Sequence, residues 1–281
     1  MIATATETTL ATKYATLCQI LREKLTGGLI VAFSGGVDSA FLLWAAERER
    51  RANGGQLLAL TTVSASLAGA EKEDATRFAH ELGVEHLWRE SAEVSNPAYL
   101  VNDSTRCYHC KTELFRIAHE TAQERGLQWM AYGFNASDRG DYRPGHRAAQ
   151  ENAILAPLDE AGLTKDDIRQ LMRENNLDLA DKPASPCLSS RMMTGVAITP
   201  RKLKDIEELE KLLRLGGLRV FRARVHEDGA QKFLRLEVAL DELPQFLALR
   251  EQLVAAGQLR GYRWVTLDLA GYHTGGANLT P

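Results

Sequence analysis

Short apolar runs alternate with longer amphipathic segments over residues 10–175 of the chain. The runs predict buried strands, and the segments between them, whose apolar residues recur at helical spacing, predict helices. Because an alternation of strand and helix is typical of α/β proteins, we predict a doubly wound parallel sheet. The predicted strands are 29–33, 57–63, 84–88 and 128–132, and the predicted helices are 10–25, 38–52, 70–82, 109–125 and 165–175.

The pattern changes near residue 181. Residues 181–200 are rich in Pro and Ser, a composition that predicts a linker between domains. We therefore expect an α/β domain at residues 1–190 and a smaller α+β domain at residues 191–281. Within the smaller domain the predicted elements are a helix at 200–215, strands at 219–226 and 233–238, a helix at 241–256 and a strand at 262–267.

Composition narrows the class of protein. A net charge of −3 over 281 residues gives no bulk attraction to nucleic acid, so a nucleic-acid partner is not expected. No apolar run has the length of a membrane span, and residues 1–9 lack the features of a secretory signal. We therefore expect a cytoplasmic protein without a membrane partner. In that compartment the four cysteines predict metal binding or catalysis before disulfides.

A glycine-rich hexapeptide, Ser34-Gly35-Gly36-Val37-Asp38-Ser39, lies between the first predicted strand and its helix. Glycines let the backbone approach an anion closely, and the N–H groups at the start of a helix point towards it. The spacing lacks the lysine of G-x-x-x-x-G-K-[ST] and does not match G-x-G-x-x-G. The turn is therefore a candidate phosphate site of another type.

The cysteines form a second candidate site. Cys107 and Cys110 are a C-x-x-C pair, and Cys187 lies in the segment rich in Pro and Ser. One pair of thiolates cannot complete a tetrahedral metal site. Three thiolates suit a [4Fe–4S] cluster with one open iron, while a zinc site with His109 as fourth ligand and a redox dithiol remain alternatives. Cys18 lies among apolar helix positions and is predicted to be a core residue.

Two groups of polar residues could bind an anion. Ser189, Ser190 and Arg191 follow Cys187, and their hydroxyl and guanidinium groups are candidate phosphate contacts. Arg222 and Arg224 alternate on a predicted strand, together with His226, and therefore share one face. Paired arginines suit a phosphate or a carboxylate, although an exposed strand face paired with acids such as Glu237 is equally common.

Taken together, these motifs resemble the LarE family of PP-loop (N-type) ATP pyrophosphatases. The resemblance covers about residues 10–275 and implies the adenine-nucleotide α-hydrolase-like fold. It further implies a PP-loop domain followed by a C-terminal domain for substrate binding and sulfur transfer. The matching motifs are S-G-G-x-D-S at residue 34, N-A-S-D at 135–138, D-Y-R-P-G at 141–145, A-S-x-C-x-x-S-R ending at Arg191, R-x-R-x-H at 222–226 and Y-R-x-V-T-L-D-L-x-G at 262–271.

The resemblance implies an ATP-dependent sulfur transferase that helps to make the nickel-pincer nucleotide cofactor of lactate racemase. ATP would adenylate a carboxylate of pyridinium-3,5-biscarboxylate mononucleotide and release pyrophosphate. Sulfur would then displace AMP to give a thiocarboxylate, and a second round would treat the other carboxylate. The resemblance also implies a homo-oligomer and, as partners, other proteins of the nickel-pincer pathway.

The family's site residues transfer to matching positions of this sequence. The resemblance implies that the hexapeptide binds ATP with Mg²⁺, and that Cys107, Cys110 and Cys187 bind the cluster. The nucleotide pocket would include Phe134 and Asn135. The substrate would contact Ser189, Ser190, Arg222, Arg224 and Glu210, although Glu210 could instead be a surface acid, and the catalytic residues would be Cys187, Asp38 and Arg191.

Members of the family differ in their source of sulfur. Some sacrifice the sulfur of one loop cysteine and lack the C-x-x-C pair, whereas others carry three cysteines and are thought to hold a [4Fe–4S] cluster. This chain resembles the second kind, and Pro186 stands where the sacrificial cysteine is expected. We therefore expect the cluster to supply the sulfur.

Three alternatives remain at this stage. A tRNA thiolation enzyme of the same superfamily is one, although the near-neutral charge and the lack of an added RNA-binding domain argue against it. A zinc-stabilised ATP-binding regulator without sulfur chemistry is the second. An ammonia-using synthetase is the third, but the sequence contains no glutaminase domain.

Overall fold

The computed structural model describes residues 9–140, 144–273 and 275–277. Its contacts divide the chain into two compact units. The first unit comprises residues 1–63, 70–91 and 110–185, and the second comprises residues 64–69, 92–109 and 186–281. This division differs from a single cut at residue 190, because two segments that follow strands of the first unit pack with the C-terminal part of the chain.

The first unit contains the predicted parallel sheet. Its four strands have the order β3-β2-β1-β4, and all neighbours are parallel, which confirms the α/β fold class. The strands are β1 (Leu29–Ala32), β2 (Leu57–Val63), β3 (His86–Glu90) and β4 (Trp129–Tyr132).

Eleven α-helices are assigned in the described residues. They are α1 (Leu10–Leu25), α2 (Val37–Asn53), α3 (Gly69–Leu82), α4 (Pro97–Leu100), α5 (Arg106–Arg125), α6 (Pro144–Glu151), α7 (Pro157–Glu160), α8 (Lys165–Glu174), α9 (Pro200–Leu215), α10 (Leu243–Ala248) and α11 (Arg250–Leu259). No helix in this part of the chain is long and apolar enough to span a bilayer.

The central strand β1 fixes the position of the hexapeptide. Strands β2 and β3 lie on one side of β1 and strand β4 lies on the other, so the strand order reverses beside β1. In α/β sheets, ligands bind at the carboxyl ends of the strands next to such a reversal. Gly133, directly after β4, lies against the start of α2. A Cβ atom at Gly133 would come within 2.7 Å of the Ser39 nitrogen, so only glycine allows this close approach. The turn after β1 and the turn after β4 are therefore packed together.

The second unit is built on a three-stranded sheet with the order β5-β6-β7. Strand β5 (Phe221–Asp228) pairs antiparallel with β6 (Gln231–Val238), and β6 pairs parallel with β7 (Trp264–Leu267). One face of the sheet is apolar and completely buried. Its residues include Ala223, Val225, Leu234 and Leu236. Because side chains alternate along a strand, Arg222 and Arg224 lie on the opposite face.

Several predicted boundaries were wrong for local reasons. Strand β3 starts two residues later than predicted, because Gly83 and Val84 complete the end of α3 and the Val84 nitrogen donates to the Ala79 carbonyl. The predicted helix at 241–256 is interrupted at Leu249, between α10 and α11.

The predicted linker is also partly folded. Residues 188–191 form a 3-10 turn whose Leu188 and Ser189 are buried in the second unit. Helix α5 begins at Arg106 rather than at residue 109, because Asp103 fixes the preceding turn by accepting from the Thr105 nitrogen. The C-x-x-C pair therefore lies on a helix.

Candidate functional site

The phosphate loop, defined here as residues 34–39, is held by its own side chains. The Ser34 nitrogen donates to Ser39 Oγ at 3.2 Å, and Ser39 Oγ donates to the Gly36 carbonyl at 3.0 Å. Gly35 has a φ of +74°, and a Cβ atom there would lie 3.2 Å from the Glu71 carbonyl oxygen. Gly36 is the N-cap of α2 and offers no side-chain oxygen. The first N–H groups of α2 can therefore bind an anion.

Asp38 lies in the first turn of α2, beside the loop that follows β4. Burial raises the pKa of its carboxyl, and the charge of Asp138 adds to this effect, while Lys165 and Arg169 oppose it. Among the described residues, the buried Asp38 Oδ1 has no hydrogen-bond partner. A buried carboxylate oxygen of this kind is a ligand that Mg²⁺ prefers. The residues present therefore fit a magnesium ion that accompanies a phosphate.

The two residues predicted to line a nucleotide pocket have different surroundings. Asn135 is fully buried, and its Oδ1 accepts from the Ser137 nitrogen at 3.0 Å. Phe134 stacks on the ring of His146 with 4.1 Å between ring centroids and 10° between planes. The aromatic ring of Phe134 therefore packs within the first unit, and its contact with a nucleotide remains a prediction.

The cysteine loop, defined here as residues 186–190, belongs to the second unit. Arginine side chains bind its main-chain carbonyls. Arg191 Nη1 donates to the carbonyls of Pro186 and Cys187, the latter at 3.1 Å. Arg106 Nη1 donates to the Ser189 carbonyl at 3.0 Å, and Arg224 Nη1 donates to the Ser190 carbonyl at 3.0 Å. Cations from three places in the sequence therefore fix the loop that carries Cys187.

Arg191 is bound to Glu210 by two parallel hydrogen bonds of 2.9 Å. Only 2% of the Arg191 side chain and 4% of the Glu210 side chain are exposed to solvent. Glu210 also accepts from the Ala223 nitrogen at 3.1 Å. Glu210 is thus a buried acid rather than the surface acid considered as an alternative. This ion pair orients Arg191 towards the loop carbonyls.

The two serines of the loop are bonded within the second unit. Ser189 is completely buried, and its hydroxyl lies 2.6 Å from the Tyr99 hydroxyl. Ser190 Oγ donates to the Cys187 carbonyl at 2.8 Å. These contacts favour a structural role for Ser189, whereas Ser190 is partly exposed. Substrate binding by either serine remains a prediction.

Arg222 and Arg224 share a strand face, but both are buried rather than exposed. Arg224 forms two hydrogen bonds of 3.0 Å with Glu237. The Arg222 guanidinium lies over the ring of Tyr272, 4.9 Å from its centroid. Burial lowers the pKa of Arg222, and the positive charge of Arg191 lowers it further. A bound phosphate or carboxylate would offset this accumulation of positive charge.

None of the four cysteines, all of which are described, forms a disulfide. Arg106 Nη2 lies 3.7 Å from Cys107 Sγ. Burial opposes the charge of Arg106, but electrostatic interaction with the side chains of Cys187 and Cys107 favours it, and the pKa of Arg106 is raised. Cys107 and Cys110 are three residues apart on α5 and thus share one helix face.

The metal prediction rests on all three thiols. Within residues 9–140, 144–273 and 275–277, no group of three or more His, Cys, Asp or Glu side chains is arranged to hold a metal ion. A cluster bound by Cys107, Cys110 and Cys187 therefore remains a prediction. Cys18 is half-buried on α1 rather than fully enclosed in the core.

Comparison with known proteins identifies the family. The chain is 32% identical over 273 residues to pyridinium-3,5-bisthiocarboxylic acid mononucleotide synthase of Lactiplantibacillus plantarum, which covers 97% of this chain and 96% of that protein. The chain belongs to the LarE family. The chain described here is also 37% identical over 251 residues to the uncharacterized protein slr1717 of Synechocystis sp. This similarity covers 89% of the chain and 91% of the relative. No protein-family model matches the chain.

A third relative bears on the tRNA alternative. The LarE chain is 28% identical over 193 residues to the tRNA-specific 2-thiouridylase MnmA of Beijerinckia indica. That similarity covers 56% of the chain and 44% of MnmA. It agrees with the PP-loop fold, but the shorter match does not favour tRNA thiolation over the function of the longer relative.

Two cations close to the predicted site residues, Arg106 and Lys182, were not predicted from the sequence. Arg106 precedes the C-x-x-C pair directly, and its position beside Cys107 was the available signal. Lys182 opens the K-P-A-S-P-C run, and its ammonium group lies 3.1 Å from the Gly35 carbonyl oxygen of the phosphate loop. No local pattern connects Lys182 with a glycine 147 residues away.

Proposed function

We propose that this LarE protein is an ATP-dependent sulfur transferase that converts the carboxylates of pyridinium-3,5-biscarboxylate mononucleotide into thiocarboxylates. The observation that carries the proposal is the similarity to the bisthiocarboxylate synthase over 97% of the chain. The glycine turn beside the strand-order reversal supports ATP as the activating substrate, because this geometry suits a polyphosphate.

The first unit would activate the carboxylate. The N–H groups of the phosphate loop bind the ATP phosphates, and Asp38 holds Mg²⁺, which offsets their negative charge. A substrate carboxylate oxygen attacks the α-phosphorus, the bond to the β-phosphate oxygen breaks, and pyrophosphate leaves. The product is an acyl adenylate, in which AMP is a good leaving group.

The second unit would bind the substrate anion and carry the sulfur chemistry. Arg222 and Arg224 bind the substrate phosphate, because arginine pairs match phosphate geometry. A sulfur nucleophile attacks the acyl carbon, the bond to the adenylate oxygen breaks, and AMP leaves with its electron pair. Cys187, which the arginines of the cysteine loop hold in place, would take part in sulfur delivery as one of the three thiols that hold the source of sulfide.

The three thiols would hold the [4Fe–4S] cluster that supplies sulfide. Thiolates are the usual ligands of such clusters. Homo-oligomer formation and contact with other proteins of the nickel-pincer pathway are further parts of the proposal.

The proposal is tested with protein purified without oxygen. ATP and the dicarboxylate mononucleotide are added, and AMP, pyrophosphate and thiocarboxylate are measured by mass spectrometry. Iron, acid-labile sulfide and zinc are determined on the same sample. We expect about four irons per chain, lost in C107A, C110A and C187A but retained in the control variant C18A.

Three outcomes would contradict parts of the proposal. Zinc without iron would make the cysteines structural and leave Cys187 as a consumed sulfur donor. Protein without any metal would make the cluster assignment wrong while leaving the adenylation intact. Co-purified RNA that becomes thiolated, with no reaction of the mononucleotide, would return the function to the tRNA alternative.

A further inference from the structure

Lys182 lies in the first unit, directly after the 3-10 turn at residues 178–181. Its side chain is only 12% exposed, which is unusual for a lysine. The ammonium group has three acceptors. Lys182 Nζ donates to the Gly35 carbonyl oxygen at 3.1 Å, and it lies 2.8 Å from Glu71 Oε2 and 2.9 Å from Asp74 Oδ2.

The main chain around Lys182 is fixed independently of this contact. Arg169 of α8 donates to the carbonyls of Ala180 and Lys182, the latter at 2.9 Å. The Lys182 nitrogen donates to the Leu179 carbonyl at 3.1 Å. The lysine is therefore presented to the phosphate loop by a braced segment, and its position does not depend on Glu71 and Asp74 alone.

Glu71 and Asp74 present an electrostatic problem for the phosphate loop. Both acids lie in α3, and the Glu71 main chain packs against Gly35. Without a cation, two carboxylates close to this turn would repel a polyphosphate. The hexapeptide has no lysine of its own, so the neutralising charge must come from elsewhere in the chain.

We propose that Lys182 is a positioning residue of the phosphate loop. Its ammonium group holds the carbonyl of the Gly35–Gly36 peptide, whose N–H donates to Ser34 Oγ at 3.4 Å, and thereby fixes the turn that leads into the first N–H groups of α2. The same ammonium group shields the phosphates from Glu71 and Asp74. This inference rests on the proposed function, because it requires that the loop binds ATP.

The test is a titration of the full-length protein with α,β-methylene-ATP, pyrophosphate and AMP by calorimetry. We expect K182M to weaken binding of α,β-methylene-ATP and pyrophosphate by roughly tenfold to a hundredfold, the worth of one charge-assisted contact. Binding of AMP should weaken by less than about threefold, since AMP lacks the β- and γ-phosphates. K182R should recover part of the loss.

Two further variants separate positioning from a merely structural role. K13M removes another partly buried lysine of the first unit, which pairs at 2.7 Å with Asp167 rather than with a residue of the phosphate loop. It should leave all three affinities unchanged. The triple variant K182M/E71Q/D74N should bind pyrophosphate about tenfold more tightly than K182M, because the repulsive carboxylates are gone.

The outcomes are distinguishable. If the unsubstituted protein binds none of the three probes, the proposed function fails. If it binds them and K182M binds equally well, only the role of Lys182 is overturned. If K182M binds AMP and α,β-methylene-ATP more weakly by the same factor, the positioning role is overturned and Lys182 has only a structural role. If the triple variant binds pyrophosphate no more tightly than K182M does, the proposal that Lys182 shields the phosphates from Glu71 and Asp74 is overturned.

Discussion

The phosphate loop and the cysteine loop are held in their conformations by different kinds of contact. In the phosphate loop, glycines and two serines shape a turn within six residues and leave N–H groups available for a ligand. In the cysteine loop, arginines bind the main-chain carbonyls and are themselves held by buried acids. The first loop is a site because its backbone can bind an anion. The second is a candidate site because arginines bind four of its main-chain carbonyls and thereby hold the segment that carries its thiol.

This contrast predicts different consequences of substitution. A change in the phosphate loop should alter ligand binding more than stability, because the hydrogen bonds that shape the turn lie within residues 34–39. A change among the arginines and acids should alter stability first. The following variants test this difference in order of decreasing expected effect.

The largest effect is expected for R191M. The variant leaves Glu210 as a buried charge without its guanidinium partner, which should destabilise the protein by about 3 to 5 kcal/mol. The double variant R191M/E210L should recover much of that loss, because the uncompensated charge is gone. Urea unfolding measures both. An R191M protein within about 1 kcal/mol of the unsubstituted one would show that the pair does not hold the cysteine loop.

D38N should separate function from stability in the phosphate loop. We expect a roughly hundredfold loss of pyrophosphate release, because the ionic contact of Asp38 is lost. Since burial raises the pKa of Asp38, its ionised form costs stability above its folded pKa and costs nothing at low pH. D38N should therefore melt at a higher temperature at neutral pH and at an equal temperature in acid. A lower melting temperature at neutral pH would contradict this interpretation.

His86 gives the first unit a defined pH dependence. Burial lowers its pKa from 6.5 to about 4, and its Nε2 lies within hydrogen-bond distance of Thr61 Oγ1, at 2.8 Å. The folded state disfavours the protonated ring. The contribution of His86 to the free energy of unfolding is therefore complete above pH 6.5 and is lost as the pH falls to about 4. Partial exposure of the ring reduces the expected loss to about 2 kcal/mol. H86Q should lack this part of the acid sensitivity, and equal acid profiles would contradict the assignment.

S189A should have the smallest effect. It removes the hydrogen bond of 2.6 Å between the buried hydroxyls of Ser189 and Tyr99, which should cost about 1 kcal/mol of stability. Sulfur transfer should stay within about threefold, as expected of a residue that does not touch the substrate. A tenfold loss of activity with unchanged stability would support the substrate contact predicted from the sequence instead.

The sequence predicts the elements of this protein better than the partners of its side chains. The parallel sheet and the phosphate loop follow from local patterns, because strand runs, glycine turns and helix starts are encoded within a few residues. The C-x-x-C helix was predicted to begin at residue 109 because the turn fixed by Asp103 was not recognised.

Long-range charge pairing accounts for most of what was missed. The ion pair between Arg191 and Glu210 spans 19 residues, and the contact of Lys182 with Gly35 spans 147. Charged residues are usually exposed, so their types alone favoured a surface acid at Glu210. Only the fold shows that these charges are buried, that Arg191 and Glu210 hold the cysteine loop, and that Lys182 contacts the phosphate loop.

We propose above all that this LarE protein activates a carboxylate with ATP. The most direct measurement is the exchange of labelled pyrophosphate into ATP, with and without pyridinium-3,5-biscarboxylate mononucleotide. We predict exchange only when the mononucleotide is present, its loss in D38N, and its loss in R222A despite unchanged binding of α,β-methylene-ATP. Release of ADP and phosphate, or exchange without any carboxylate substrate, would contradict the account.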